Sequence, residues 1–373
     1  MKVLLIDNKS NSLTRINELL KQQLCKTASV TDPLIGLKLL QKHSFDVVLV
    51  ADGLEKTTVV NLLKAITIKF PKLIRIAHIE EPIAKINHYA HYVFNHPIEP
   101  INIINTVLSF HGNHKAITKD VIVKSVAKVK ALPSPPKVYL QLNAILKNAN
   151  TDSDKIADII TQDPALAAKV IQTANNIFGQ SDKPLSSIAE AITKLGVDTL
   201  SCIVMTAEMF SYQPDIPNFS LIDEQAHSLA TARLAASLVS PNLKQDTLLA
   251  GLLHDIGKLV LFEIDKVLTL KYFANNARTS DAIELEEKIF STDHAQIGAY
   301  LLHTWSFPYY LIDAVLKHHV PKKLLSKNLG ISQAVYIANC LLKEQDIDKE
   351  FLQHFNLVEK VESLKEKALR FKS

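Results

Sequence analysis

Through the first 112 residues, short β-branched runs alternate with stretches of helical period. The runs are KVLLI, TASV, DVVLV, LIRIA and YVFN. Runs this short and this apolar suit strands, and the amphipathic segments between them supply the crossovers of a βα repeat with a parallel sheet. The pattern changes at KAITKDVIVKSVAKVKALPSPPKV, where lysines recur and prolines then cluster, as in a linker or connecting helix. From residue 131 onward i, i+3, i+4 apolar spacing takes over, for example in DKIADIITQ, ALAAKVIQTAN, SLATARLAASLV and QIGAYLLHTW. Asp152, Ser186 and Asp293 stand just before such runs as candidate N-caps. The expected organisation is a doubly wound α/β domain over 1–112, a linker or connecting helix over 113–130, an all-helical domain over 131–330, and C-terminal helices over 331–373 that complete it.

Composition changes this picture little. At 373 residues and 47% hydrophobic, the chain can bury more than one core. A net charge of +4 with 21% charged residues is too weak a field to imply a nucleic-acid partner. Cys25, Cys202 and Cys340 are far apart and form no CxxC pair, which fits a reducing compartment, with the cytoplasm as the expected location. The apolar run in MKVLLIDNKS is too short for a signal peptide, and no later segment reads as a membrane span.

The first 112 residues resemble a two-component receiver, a flavodoxin-like fold that accepts a phosphoryl group on an aspartate. The resemblance implies paired acids after the first strand to hold magnesium, an acceptor aspartate ending the third strand, a hydroxyl farther on and a lysine-proline pair. Here the first strand ends Asp7-Asn8, Ala51 stands at the acceptor position, Ile79 falls near the hydroxyl position and His96-Pro97 replaces the lysine-proline pair. Each departure removes a group that phosphotransfer needs. The domain reads as a degenerate receiver with no acceptor at Ala51 and a docking role. The competing register makes Asp52 the acceptor, which requires the strand end to bulge, because neighbouring side chains face opposite ways.

The remainder resembles the HDOD domain, a helical signalling module related to the HD phosphohydrolases. LPSPPKV at 132–138 is similar to its opening motif, IITQDPALAAKVIQTANNIFG at 159–179 to its aspartate-proline helix start and alanine-asparagine pair, and IAEAITKLGVDTL at 188–200 to its leucine-glycine turn. Asp163 is a natural N-cap, Pro164 fits a first helical position, and Gly196 suits a turn between helices. AITKLGVDTL also has the outline of a helix-turn-helix, but it carries few arginines or amides to contact bases.

Six of the fourteen histidines fall between 227 and 319. The resemblance to HD phosphohydrolases places metal ligands at His227, His254, Asp255, His294, His318 and His319. Those enzymes take a histidine, an adjacent His-Asp pair and a distal acid from successive helices, because a multinuclear centre needs imidazoles and a bridging carboxylate. Asp223, four residues before His227, is expected to share its helix face and join the set. Asn339, in AVYIANCLL, stands where the family has its distal aspartate, and a neutral amide oxygen is a poorer ligand for a hard cation. Lys258, one turn after His254, is either a cation for a substrate phosphate or a solvated lysine at a helix end. His303 lies nine residues after His294 and is expected to face elsewhere. The histidine pair is followed by VPKKLL and lacks the Gly-Tyr-Pro run of the branch that hydrolyses cyclic dinucleotides.

Two readings stay open on the sequence. The first is a signalling protein whose HDOD module holds a divalent metal (Fe, Mn, Ni or Zn) and acts through contacts with other signalling proteins or a second copy. The alternative is a metal-dependent phosphohydrolase in which Asp255 and Lys258 serve catalysis on a phosphate ester or nucleotide. Neither involves a membrane, and a DNA-binding response regulator is disfavoured by the mild charge.

Overall fold

The structure, a computed structural model, describes the chain apart from residues 9–11, 71–72, 82, 84–85, 87–88, 96–98, 102, 105–106, 109–115, 130–137, 139–140, 143–152, 179–183, 210–217, 276–281, 306, 327 and 372–373. Most of LPSPPKV, the His96-Pro97 pair and Asp152 lie outside the described residues. The chain divides into two compact units, Met1–Lys119 with Tyr300–Ile312, and Asp120–Ala299 with Asp313–Ser373.

The first unit is built on strands β1 (Lys2–Ile6), β2 (Lys26–Val30), β3 (Val47–Ala51), β4 (Ile74–Ile79) and β5 (Tyr92–Asn95). All neighbours pair in parallel, in the order β2-β1-β3-β4-β5 that defines a flavodoxin-like sheet. Helices α1 (Thr14–Gln22), α2 (Pro33–Lys42) and α3 (Val59–Lys69) supply crossovers. The two-residue period of a strand sorts side chains into two cores. Val3, Leu5, Val47, Leu49, Ala51 and Ile76 share one, while Leu4, Ile6, Val48, Val50 and Ala77 share the other.

The acids that follow β1 and β3 are hydrogen-bonded to the chain around them. Asp7 is buried, and its carboxylate accepts the Asn8 N–H (2.8 Å), the Ser12 hydroxyl (3.0 Å) and the Leu13 N–H (3.0 Å) ahead of α1. Ala51 is the last residue of β3 and is packed in the core. Asp52 follows it, with Oδ1 accepting the Gly53 N–H at 2.8 Å and its carbonyl accepting from Asn8 Nδ2 at 2.7 Å. His303 also belongs to this unit, where its ring stacks on His91 at 4.3 Å.

In the second unit every assigned element is helical among the described residues: α4 (Asp120–Val126), α5 (Ser153–Thr161), α6 (Pro164–Phe178), α7 (Ile188–Leu195), α8 (Val197–Met209), α9 (Leu221–Ala236), α10 (Lys244–Leu253), α11 (Lys258–Leu261), α12 (Lys266–Ala274), α13 (Ala282–Phe290), the start of α14 (His294–Thr304), the end of α15 (Tyr309–Lys317), α16 (Ile331–Leu342), α17 (Lys349–His354) and α18 (Val361–Leu369). Asp163 caps α6, accepting the N–H groups of Ala165 and Leu166 at 3.0 Å with Pro164 at the first position. Asn175 of α6 clamps the approach to α7 by two hydrogen bonds with the backbone of Leu185. The cap of α7 is Ser187, not Ser186: Ser187 Oγ accepts the Glu190 N–H, and Ser186 instead donates its own N–H and hydroxyl to the Glu190 carboxylate. That pairing satisfies two backbone N–H groups and a hydroxyl, where a single cap would satisfy one N–H.

Gly196 turns the chain from α7 to α8 with φ +78°. Leu200, Ile203, Val204, Met205 and Ala207 of α8 are buried in the helical core. No helix among the described residues is long and apolar enough to cross a membrane.

Candidate metal centre

Helices α9, α10 and α16 pack against one another, and the chain leaves α10 directly into His254 and Asp255. These two, with the flanking helix ends, bring the sequence-predicted histidines together. Nε2 of His294 and of His318 lie 2.9 and 3.4 Å from Asp255 Oδ1, and 3.2 Å from each other. Nε2 of His254 and of His227 lie 3.3 and 3.9 Å from Oδ2. The potential ligand atoms form two sets, Asp255 with His294, His318 and His319, and Asp255 with His227 and His254, each within 4.8 Å. The described residues thus contain a clustered His/Asp site capable of coordinating a metal ion.

The outer ring nitrogens are fixed from behind. His254 Nδ1 lies 2.7 Å from the Gly251 carbonyl, His318 Nδ1 2.6 Å from the Val315 carbonyl, and His294 Nδ1 2.7 Å from Glu286 Oε2. Carbonyls and carboxylates only accept, so Nδ1 carries the proton in each ring and Nε2 is left to face Asp255. Nε2 atoms of His254 and His319 are buried and have no hydrogen-bond partner, a cost that a cation would remove. Those atoms and the acidic centre fit a divalent transition metal in both ligand type and direction.

Burial lowers the pKa of His318 to about 3 and holds His227 and His319 well below the usual histidine range, leaving neutral rings. Burial opposes charge on His294 too, but Glu286 and Asp255 raise it to about 9. Burial likewise disfavours ionised Asp255, and His254, Lys258, Lys343 and His294 around it override that and hold the carboxyl well below its ordinary range.

Asp223 is not part of this assembly. It is exposed in the first turn of α9, its N–H donating to the Ser220 cap, and the acid that reaches inward is Glu224. Counting about 100° per residue from His227, Glu224 falls roughly 60° to the side of Ser228, Thr231 and Ala235, whereas Asp223 falls roughly 40° the other way. Ser228, Thr231 and Ala235 are buried, so the core lies on Glu224's side. Sharing a face by spacing did not place Asp223 on the buried half of that face.

Asn339 is brought to the site, with Oδ1 2.9 Å from His227 Nε2. Lys258 is also there, but not as a solvated lysine: it is mostly buried and bridges Asp255 Oδ2 at 2.7 Å and Glu224 at 2.9 and 3.1 Å. Burial opposes its charge, and the two carboxylates more than offset this, holding it above the ordinary lysine range. Sequence reasoning missed Glu224, Glu286 and Lys343, the last with Nζ 3.5 Å from Asp255 Oδ2. A signal existed for Glu286, since Ile283 and Phe290 put it on the apolar stripe of AIELEEKIF.

The sequence pattern of the HDOD domain matches residues 132–321, just over half of the 373. The chain belongs to the HDOD family. Solved structures agree on the fold of the HDOD part: a Shewanella amazonensis SB2B protein that carries a phosphohydrolase name matches with TM-score 0.54 at 21% identity, over 68% of this chain and 95% of that one. An HDOD domain protein of unknown function from Geobacter sulfurreducens matches with TM-score 0.52 at 22% identity, over 67% and 97%. A curated Treponema pallidum (strain Nichols) protein, itself uncharacterized, is 24% identical over 196 residues, which span 52% of this chain and only 38% of that relative.

Proposed function

We propose that this HDOD chain uses the Asp255-centred cluster to hold a divalent transition metal (Fe, Mn, Ni or Zn) and to hydrolyse a phosphate ester or nucleotide. The observation that carries the reading is that one carboxylate, Asp255, belongs to both ligand sets. His294, His318 and His319 stand with Asp255 in one set, and His227 and His254 in the other, with Asn339 against His227. A metal bound there supplies Lewis acidity toward a phosphoryl oxygen and lowers the pKa of water.

The chain's own residues do the rest. Glu286 fixes the His294 ring, and the main-chain carbonyls of Gly251 and Val315 fix His254 and His318. Lys258 is engaged by two carboxylates and partly neutralises them; Lys343, 26% exposed against 12% for Lys258, is the more accessible cation for an arriving phosphate. The phosphohydrolase name of the Shewanella protein supports this reading. A panel of phosphomonoesters and cyclic nucleotides, assayed on the full chain with and without chelator, tests it. Turnover lost on chelation and in Asp255→Asn is expected; a metal-loaded chain without turnover would contradict hydrolysis.

That second outcome selects the regulatory reading, which Asn339 favours: an amide hydrogen-bonded to His227 weakens the half of the site where the family has an acid. Metal occupancy would then bias contacts with signalling partners or a second copy.

Proton linkage gives a further expectation. The raised pKa of His294, about 9, means that its Nε2 carries a proton at neutral pH, and a metal must displace it. Affinity should therefore climb with pH and level off above about 9. Calorimetric titration in buffers of different ionisation enthalpy at pH 7.5 should show release of about one proton per bound ion; zero release would remove His294 from the ligand set.

For the first unit the proposal is a receiver fold used for docking without phosphotransfer. Asp7 accepts three protein hydrogen bonds and Ala51 carries no nucleophile. Incubation with labelled acetyl phosphate should leave no label; label abolished by Asp52→Asn would assign Asp52 as acceptor instead.

A further inference from the structure

Asp255 divides its cluster chemically. On the Oδ1 side stand His294 and His318, with Glu286 behind His294 and His319 in the same set. On the Oδ2 side the nearest group is not an imidazole. It is the Lys258 ammonium at 2.7 Å, closer than His254 at 3.3 Å and His227 at 3.9 Å. Both oxygens of Glu224 hold that ammonium from behind, at 2.9 and 3.1 Å, so three carboxylate oxygens fix one cation. Lys343 adds a second positive charge 3.5 Å from Oδ2, and Asn339 contributes an uncharged oxygen that His227 already engages.

The two sides differ in what stands against the shared carboxylate. Around Oδ2 the Lys258 ammonium is at hydrogen-bond distance and the Lys343 ammonium stands farther off, at 3.5 Å. A dication there would have to displace one ammonium and approach the other. Around Oδ1 three imidazoles and a carboxylate converge, a set that nitrogen-preferring transition metals occupy.

We propose that the cluster takes one metal ion, on the Oδ1 side, held by Asp255, His294, His318 and His319, and that the Lys258 ammonium fills the position of a second cation against Oδ2. This rests on the reading above that the cluster binds metal. It makes His227 and His254 bystanders to the ion. It also gives Lys258 a role different from phosphate recognition: it neutralises the shared carboxylate and keeps the centre mononuclear.

The full chain, stripped by chelator and titrated with Co(II), tests this through the visible absorption of the bound ion and through metal content after desalting. One equivalent is expected. His227→Gln should keep that equivalent with affinity within about threefold, while His318→Gln should lose affinity by roughly a hundredfold or more, as loss of a direct ligand exceeds the 10–100-fold typical of an outer-shell change. His319→Gln reports on the same side should His318→Gln fail to fold. Lys258→Gln, or Lys258→Gln with Asn339→Asp to restore an anion, should admit a second equivalent. Two equivalents in the wild type, one in both lysine variants, or loss of the ion in His227→Gln with retention in His318→Gln would overturn the single-ion assignment alone. No bound cobalt in the wild type would overturn the metal reading together with it.

Discussion

Asp255→Ala should abolish metal binding and destabilise the chain by about 3–5 kcal/mol, the cost typical of removing one partner from a buried ion pair. Its side chain is 1% exposed and faces Lys258 at 2.7 Å and His294 at 2.9 Å. Without it, Lys258 keeps only Glu224 and the charged His294 keeps only Glu286, so two largely desolvated cations each lose a counter-ion. Asp255→Asn separates the two consequences. It preserves shape and removes charge, so metal affinity should still fall steeply while part of the packing survives. Urea unfolding followed by circular dichroism, beside metal analysis, reads both. An unchanged unfolding midpoint for the alanine variant would mean that Asp255 is not the electrostatic centre of the cluster.

The second large effect is expected at a residue with no side chain. Gly257 sits two residues after Asp255, where the start of α11 crosses the start of α14 so closely that a Cβ would overlap the His294 carbonyl and press on the Gly298 nitrogen. These are backbone atoms that cannot rotate aside, so relief requires helices to move apart. Gly257→Ala should cost about 3 kcal/mol, the upper part of the range for overpacking a tight core. Because the displaced segment carries His294, a ligand candidate, metal affinity should drop by at least tenfold as well, on the scale of a disturbed ligand orientation. Thermal unfolding and Co(II) titration of the variant check the two effects. Wild-type values for both would show that the crossing tolerates a methyl group and that the His-Asp turn is not locked against α14.

The parts of this molecule that were legible in the sequence are those with a period. The strands KVLLI, DVVLV and YVFN and the helices of the second unit announce themselves by spacing. The order of His227, His254-Asp255, His294 and His318-His319 along the chain anticipated a meeting that only packing could bring about. What was hidden lies in rotation about helix axes. Asp223 and Glu224 are neighbours of the same charge, and which of them turns inward depends on where α10 and α16 press against α9. Glu286 hid among Glu284, Glu287 and Lys288, which together look like a solvated face, although it is fully buried. Lys258 shows the same limit: its type was readable, but its engagement by two carboxylates arises from a contact 34 residues away with Glu224.

An anomalous-scattering map from crystals of the full chain, soaked in Co(II) or Zn(II) after chelator treatment, would locate the ion at Asp255. A single strong peak is expected within coordination distance of Asp255 Oδ1, His294 Nε2 and His318 Nε2. A map with no peak there, or with those side chains pointing apart, would contradict the metal reading and leave a helical adaptor whose histidines serve only the core.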